Sequence, residues 1–134
     1  MPKQIITSSK APTTGFTPGG SVSPLAQGIR FGNMLFVSGQ GSLNPATGEV
    51  IPGDIVVQTR QTLDNIMSVL EAADATAKNI VNMRVILRNV ADFPRFNETF
   101  REYFAGEKVT RTCFGGVLHR AGTDVEIDCV AMFD

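Results

Sequence analysis

The sequence predicts an α+β fold in which one mixed β-sheet carries two helices on one face, in the order β-β-α-β-α-β-β. Three observations lead there. Apolar residues alternate with a period of two in short, separate stretches near both ends and in the middle of the chain. Between those stretches the apolar spacing twice lengthens to three or four residues, the mark of a helix with one buried side. Clusters of Gly, Pro, Asn and Asp fall at the boundaries.

In chain order, Gln4 to Thr7 suits a short strand, and residues 8–24, rich in Ser, Thr, Pro and Gly, suit an irregular arm. Ile29 to Gly41 reads as a hairpin. Ile29 and Phe31 alternate with polar neighbours, Gly32-Asn33 supplies the turn, and Met34 to Val37 is apolar. Asn44-Pro45-Ala46-Thr47-Gly48 is a further turn cluster. Ile55, Thr59, Leu63, Ile66, Met67, Leu70 and Ala73 then form a helical stripe, with Asp54 as its cap. Val81, Met83, Val85 and Leu87 mark one face of a strand and Asn82, Arg84 and Arg88 the other, with Ile86 breaking the pattern. Asp92 and Pro94 start a second helix, whose stripe is Phe93, Phe96, Phe100, Tyr103 and Phe104 and which Gly106 ends. Val109 to Val117 and Asp124 to Phe133 are the last strands, joined through His119-Arg120-Ala121-Gly122. With no internal repeat and no composition break, one domain is expected over residues 1–134, its first 20 residues partly irregular.

Two helices cover one face of such a sheet, yet the last strand carries Val130 and Met132 as well as Val125 and Ile127. An uncovered apolar sheet face calls for a partner, so an oligomer is expected.

Composition narrows the function. The 134 residues are 43% apolar and 19% charged, as in a folded domain. A chain of this length buries roughly 68% of its unfolded surface and needs no staples. Twelve basic residues against 13 acidic ones give a net charge of −1, which argues against a surface built for nucleic acid. Two cysteines and one histidine, without metal-ligand spacing, argue against a structural zinc or a disulfide scaffold. No stretch resembles a signal peptide or the ~18 apolar residues of a membrane span, so a cytoplasmic location is expected.

Few residues could carry chemistry. Arg111 shares a strand face with Val109 and Cys113. A guanidinium among apolar neighbours suits a planar carboxylate, held through two charge-assisted hydrogen bonds, although an ion pair or a snorkelling surface arginine is the commoner role. Glu126 lies fifteen residues on. If the last two strands form a hairpin, both side chains point into one cleft, where a carboxylate could position water and move protons. The commoner role is a solvated face shared with Asp124 and Asp128. Cys113 has no evident base beside it and reads as a small buried residue, and His119 reads as a loop residue. Ser38-Gly39-Gln40-Gly41 ends a strand with two glycines, which permits either a bulge or a close approach of the backbone to a ligand.

Taken together, six segments in register resemble the Rid (YjgF/YER057c/UK114) family of reactive-intermediate deaminases. They are Pro24-x-x-Gln27-Gly28, Gly32-Asn33-Met34-Leu35-Phe36-Val37-Ser38-Gly39-Gln40, Asn44-Pro45-x-Thr47-Gly48-Glu49-Val50, Gln58-Thr59-Arg60-Gln61-x-Leu63-Asp64-Asn65, Asp92-Phe93-x-x-Phe96-Asn97, and Arg111-x-Cys113 with Val125-Glu126-Ile127. The resemblance spans residues about 21 to 133. It implies a chorismate-mutase-like α+β fold, a homotrimer with clefts between subunits, and cofactor-free, metal-free hydrolysis of 2-imino or enamino acids to 2-keto acids and ammonia. It also implies that Arg111 grips the substrate carboxylate and that Glu126 activates water. Gly39 and Cys113 would complete the pocket through their backbone, with Ser38 and Asn97 nearby. No membrane or nucleic-acid partner is implied. A non-catalytic carboxylate-binding or chaperone-like trimer is the second expectation. An endoribonuclease or translation inhibitor, as older family naming has it, is the third. The chain departs from the family pattern at Leu25, where many active members have tyrosine, and at Val109, in place of a small residue or proline. It departs again at His119-Arg120, in place of Leu-Pro. These changes alter the pocket wall and thus the substrate range, with a dicarboxylate as one candidate.

Overall fold

The computed structural model describes residues 2–12 and 24–134; the middle of the expected irregular arm, residues 13–23, lies outside the described residues. The hairpin of β2 (Gly28–Phe31) and β3 (Met34–Gln40) turns at Gly32, whose φ of +60° is costly for any residue with a Cβ. The short strand β1 (Gln4–Ile6) adds itself to the edge of β2, extending the expected seven-element order by one. Helix α1 (Ile55–Ala72) starts as expected, with the Asp54 carboxylate accepting from the Val57 N–H at 3.0 Å. Its stripe buries Ile55, Leu63, Ile66 and Leu70. Helix α2 (Phe93–Phe104) buries Phe96, Phe100 and Phe104, whose rings contact one another in sequence.

The sheet order is β1-β2-β3-β6-β4-β5. Here the expected pairing of the last two strands is overturned. Strand β5 (Thr110–Gly115) does not turn back on β6 (Val125–Met132). It runs parallel to β4 (Ile80–Leu87) at the sheet edge, reached by the crossover through α2. Strand β6 instead fills the gap between β3 and β4, antiparallel to both. The burial pattern explains the choice. Val125, Ile127, Cys129 and Ala131 are buried under the helices, while Val130 is half covered on the other side, so β6 belongs in the centre.

A second departure concerns Val81, which is exposed although the alternation put it with Met83. Ile80 opposes Ala131 and Asn82 opposes Val130, so Val81 is an extra residue, and the bulge gives its core position to Ile80.

One core runs between the sheet and the helices, from Leu35 and Val37 through Met83, Val85 and Ile127 to Leu63, Ile66 and Phe96. Among the described residues, no helix covers the opposite face of the sheet. Phe36, Phe114 and Met132 are exposed there beside half-buried Ile86 and Val130, together with the Arg84–Asp128 ion pair.

On the buried face of α1, the Thr62 hydroxyl is fully covered and finds no hydrogen-bond partner among the described residues. An unmade hydrogen bond there costs about 1–3 kcal/mol, while Thr and Val have similar shape and helix propensity. Thr62→Val is therefore expected to stabilise the fold by about 1 kcal/mol. Thermal denaturation checks it, with a rise in Tm of roughly 3–5 °C expected.

Candidate functional site

Two groups of expected site residues form, on opposite faces of the sheet. The first surrounds the C-terminal end of β3. A register shift between Val37 and Gln40 bends the strand and brings the Gly39 backbone against Glu126 on β6. A Cβ built on Gly39 would lie 2.9 Å from Glu126 Oε2, so the missing side chain is the space the carboxylate occupies. The bulge reading of this glycine pair is met, and the space beside Gly39 is taken by the Glu126 side chain.

Glu126 lines a cavity of about 270 Å³ together with Leu25, Ser38, Gly39, Leu118, His119 and Arg120. Each wall is anchored. The Ser38 hydroxyl donates to the Ala26 carbonyl at 2.6 Å and holds the segment that carries exposed Leu25. Gln27, buried next to it, donates through its amide to the carbonyls of Ser8, Ala11 and Pro12, and accepts from the Ser8 N–H. Pro12 is itself part of the cavity lining. The N-terminal segment is thus tied to the rim.

From the helix side, two buried amides of α1 fasten the loops around the cavity. Asn65 donates to the carbonyls of Gly41 and Leu43, both at 3.0 Å. Gln58 accepts from the Ser42 hydroxyl and the Asp124 N–H, and donates to the Gly53 and Gly122 carbonyls and to the Asp124 carboxylate. Sequence reasoning gave neither amide a role, although both fall in the quoted Gln58 to Asn65 segment. Their signal was available: Gln58 sits one turn from Ile55 and Asn65 next to Ile66, on the side of the helix that carries the apolar stripe, where an amide must find partners. Arg88 was read only as an outward position of its strand. It donates to the carbonyls of Leu118, Arg120 and Thr123, which makes it the clasp of the loop before β6.

The second group lies at the other sheet edge. Arg111 on β5 is in register with buried Met83, so its side chain points to the helix face. There its guanidinium donates to Asn97 Oδ1 at 2.9 Å and lies 4.8 Å from the Phe100 ring centroid and 5.5 Å from that of Phe96. Among the described residues no carboxylate pairs with it. The ion-pair reading of Arg111 therefore does not hold; this is a half-buried cation resting on aromatic rings and one amide. Cys113, two residues along, shares that face. Burial pushes its thiol above the ordinary range, with Arg111 pulling only part of the way back, so it stays protonated at neutral pH. Both cysteines are free, and burial drives Cys129 up to about 12.

The expectation that Arg111 and Glu126 converge within one chain is thereby corrected. Glu126 opposes Ile86, and Arg111 opposes Met83, on β4. Those two β4 residues face opposite sides of the sheet, because they lie three positions apart, an odd number, along a pleated strand. What the structure brings together is Arg111 with Asn97 and Cys113, and separately Glu126 with Leu25, Ser38, Gly39, His119 and Arg120. No cluster of three or more His, Cys, Asp or Glu residues suited to a metal ion occurs among the described residues, and no helix there is long and apolar enough to cross a membrane.

Comparison with known proteins agrees with this architecture. Residues 18–133 match the family model described as Endoribonuclease L-PSP. A RutC family protein of Pyrococcus abyssi is 38% identical over 132 residues, covering 98% of this chain and 97% of the relative. The 2-iminobutanoate/2-iminopropanoate deaminase of Escherichia coli K12 is 35% identical over 115 residues, covering 84% and 89%. Among solved structures, Escherichia coli TdcF with bound serine superposes with a TM-score of 0.85 at 30% identity, over 98% of this chain and 99% of that one. With the fold, the quoted segments and a family match across almost the whole chain in agreement, the protein belongs to the L-PSP/YjgF family, the Rid family of the sequence resemblance.

Proposed function

We propose that this protein hydrolyses reactive 2-imino and enamino acids to 2-keto acids and ammonia, in clefts where the Glu126 pocket of one chain meets Arg111 of a second copy in a homotrimer. The observation that carries the reading is the division just described. One face of the chain holds a carboxylate in a cavity, and the other holds a guanidinium at a sheet edge without a carboxylate of its own. Two copies meeting edge to face would join the halves and would also cover Phe36, Phe114 and Met132. Relatives named as imine deaminases, and a solved relative holding serine, an α-amino carboxylate, support the same chemistry.

The reaction asks little of the protein. The carbon of a C=N bond is already electrophilic. Arg111 fixes the substrate carboxylate through paired charge-assisted hydrogen bonds, which orients the imine over Glu126. Glu126 takes a proton from water as its oxygen bonds to the imine carbon, and delivers that proton to nitrogen. The resulting carbinolamine collapses: the C–N bond breaks, the hydroxyl proton passes by way of the carboxylate to the departing nitrogen, and a keto acid and ammonia leave. Gly39 matters because the carboxylate can occupy this position only where no side chain competes for the space. A net charge of −1 and a single histidine, exposed in a loop, give the endoribonuclease reading less support.

Ammonia release from imines generated in situ by an amino-acid oxidase measures the activity. Glu126→Gln is expected to lower kcat by roughly 10²–10⁴-fold. Arg111→Ala is expected to lower kcat/KM by at least about tenfold, the loss of a charged hydrogen bond. Refolding the two variants together is expected to restore on the order of a quarter of the sites, the statistical share if each site draws on two neighbouring copies. No acceleration by wild type with any imine would refute the assignment.

Gly39→Ala gives a separate check. The atoms nearest its methyl group would be those of the flexible Glu126 side chain, so Tm should move by no more than a few degrees. The displaced carboxylate should cost roughly 10²-fold in kcat, read in the same assay.

A further inference from the structure

Resting on the reading above, we infer that a second pocket, behind Glu126, holds the water that the reaction consumes, and that the Arg84–Asp128 pair keeps it there. On the face of the sheet away from the helices, three side chains stand in a row. Glu126 on β6 opposes Ile86 on β4, and Ile86 is in register with Phe114 on β5. In the next row on that face, Asp128 opposes Arg84. These five residues line a pocket of about 120 Å³. Glu126 therefore belongs to two spaces, this one and the larger cavity it shares with Gly39 and Leu118.

Hydrogen bonding points to the occupant. Glu126 is half-buried, yet among the described residues no group donates to its carboxylate and no cation pairs with it. A carboxylate without a protein donor takes its hydrogen bonds from water. Asp128 is fastened: the Arg84 guanidinium donates through Nε to Oδ1 at 3.1 Å and through Nη2 to Oδ2 at 2.7 Å. That fork uses only part of the capacity of either group, so both can hold water as well. Residues two apart on one strand stand roughly 7 Å from each other, a gap that one or two waters bridge. The pocket has the volume share of roughly four waters at ~30 Å³ each, with charged groups at its rim and Ile86 and Phe114 as apolar walls.

Position decides what this water does. Substrate entering the larger cavity displaces the water there. The smaller pocket meets the same carboxylate from the sheet side, and in the trimer proposed above the neighbouring copy would lie over Phe114 and close it. Water held there stays beside the base while the substrate is bound. Each turnover consumes one molecule, its oxygen going to the keto group and its two protons to nitrogen, and the pocket supplies the next. Arg84 and Asp128 touch neither substrate nor reacting carbon. They are positioning residues that act through the water they hold.

A crystal structure with 2-oxobutanoate bound, at a resolution that shows ordered solvent, provides the first test. One water, or a chain of two, is expected to link the Glu126 carboxylate to Asp128 or Arg84 with contacts of about 2.7–3.2 Å. A dry pocket, or one filled by a side chain, overturns the proposal. The second test is kinetic. The double variant Arg84→Met with Asp128→Leu removes the polar rim without leaving a lone charge. Its kcat on imines made in situ is expected to fall by at least about tenfold, while KM and the calorimetric Kd of 2-oxobutanoate stay within about threefold. Asp128→Asn, which still donates and accepts, is expected to keep at least about a third of the wild-type kcat. A double variant with kcat within about twofold of wild type overturns the proposal, and so does an equal loss of keto-acid binding, the mark of structural damage alone. Should the double variant fail to fold, the crystal structure decides. A wild type that turns over no imine sinks the deaminase reading only, because water linked to Glu126 is observed without turnover.

Discussion

The pleat of a single central strand governs this molecule. Successive residues of β6 point to opposite sides of the sheet, so Val125, Ile127, Cys129 and Ala131 close the core while Glu126 and Asp128 emerge on the far face. Every neighbour is placed by that alternation. Helix α1 packs on the buried set, β3 and β4 are in register on either side, and the bulge in β3 exists where the chain must pass the Glu126 carboxylate. A slip of one residue in β6 would bury a carboxylate under the helices and bring core side chains to the open face, a double penalty that fixes the pairing.

Around this frame the polar groups divide by task. Gln58, Asn65, Gln27 and Arg88 are anchors: their donors are spent on backbone carbonyls, and the loops at the cavity are shaped by those bonds. Glu126 and Arg111 are the charged groups on which the proposed reaction draws. Arg111 in particular rests on aromatic faces rather than on a carboxylate, an arrangement that partly neutralises the cost of burying a cation while leaving it able to attract an anion.

Much of this was legible in the residue pattern, because the relevant physics is local. The Asp54 cap, the α1 and α2 stripes, the Gly32-Asn33 turn and the alternation of residues 125–132 all follow from neighbours within a few positions. What escaped was non-local. Two adjacent strands in sequence suggested a hairpin, and only the competition among all strands for central positions sends β6 between β3 and β4. The same error misplaced Arg111 relative to Glu126. Val81 was misread because a bulge breaks a period that has no local marker, and the Gln58 clasp because an amide in a helical stripe does not announce which loops it will hold.

The clamp of Gln27 on the carbonyls of Ser8, Ala11 and Pro12 has a mechanical side. Because Pro12 belongs to the cavity lining and Gln27 leads directly into β2, tension on the amino terminus travels by a short rigid path to the mouth of the pocket. A fusion or surface tether at that end would tug on the very rim a substrate must cross. The carboxyl terminus, leaving from the far end of β6, offers a quieter point of attachment.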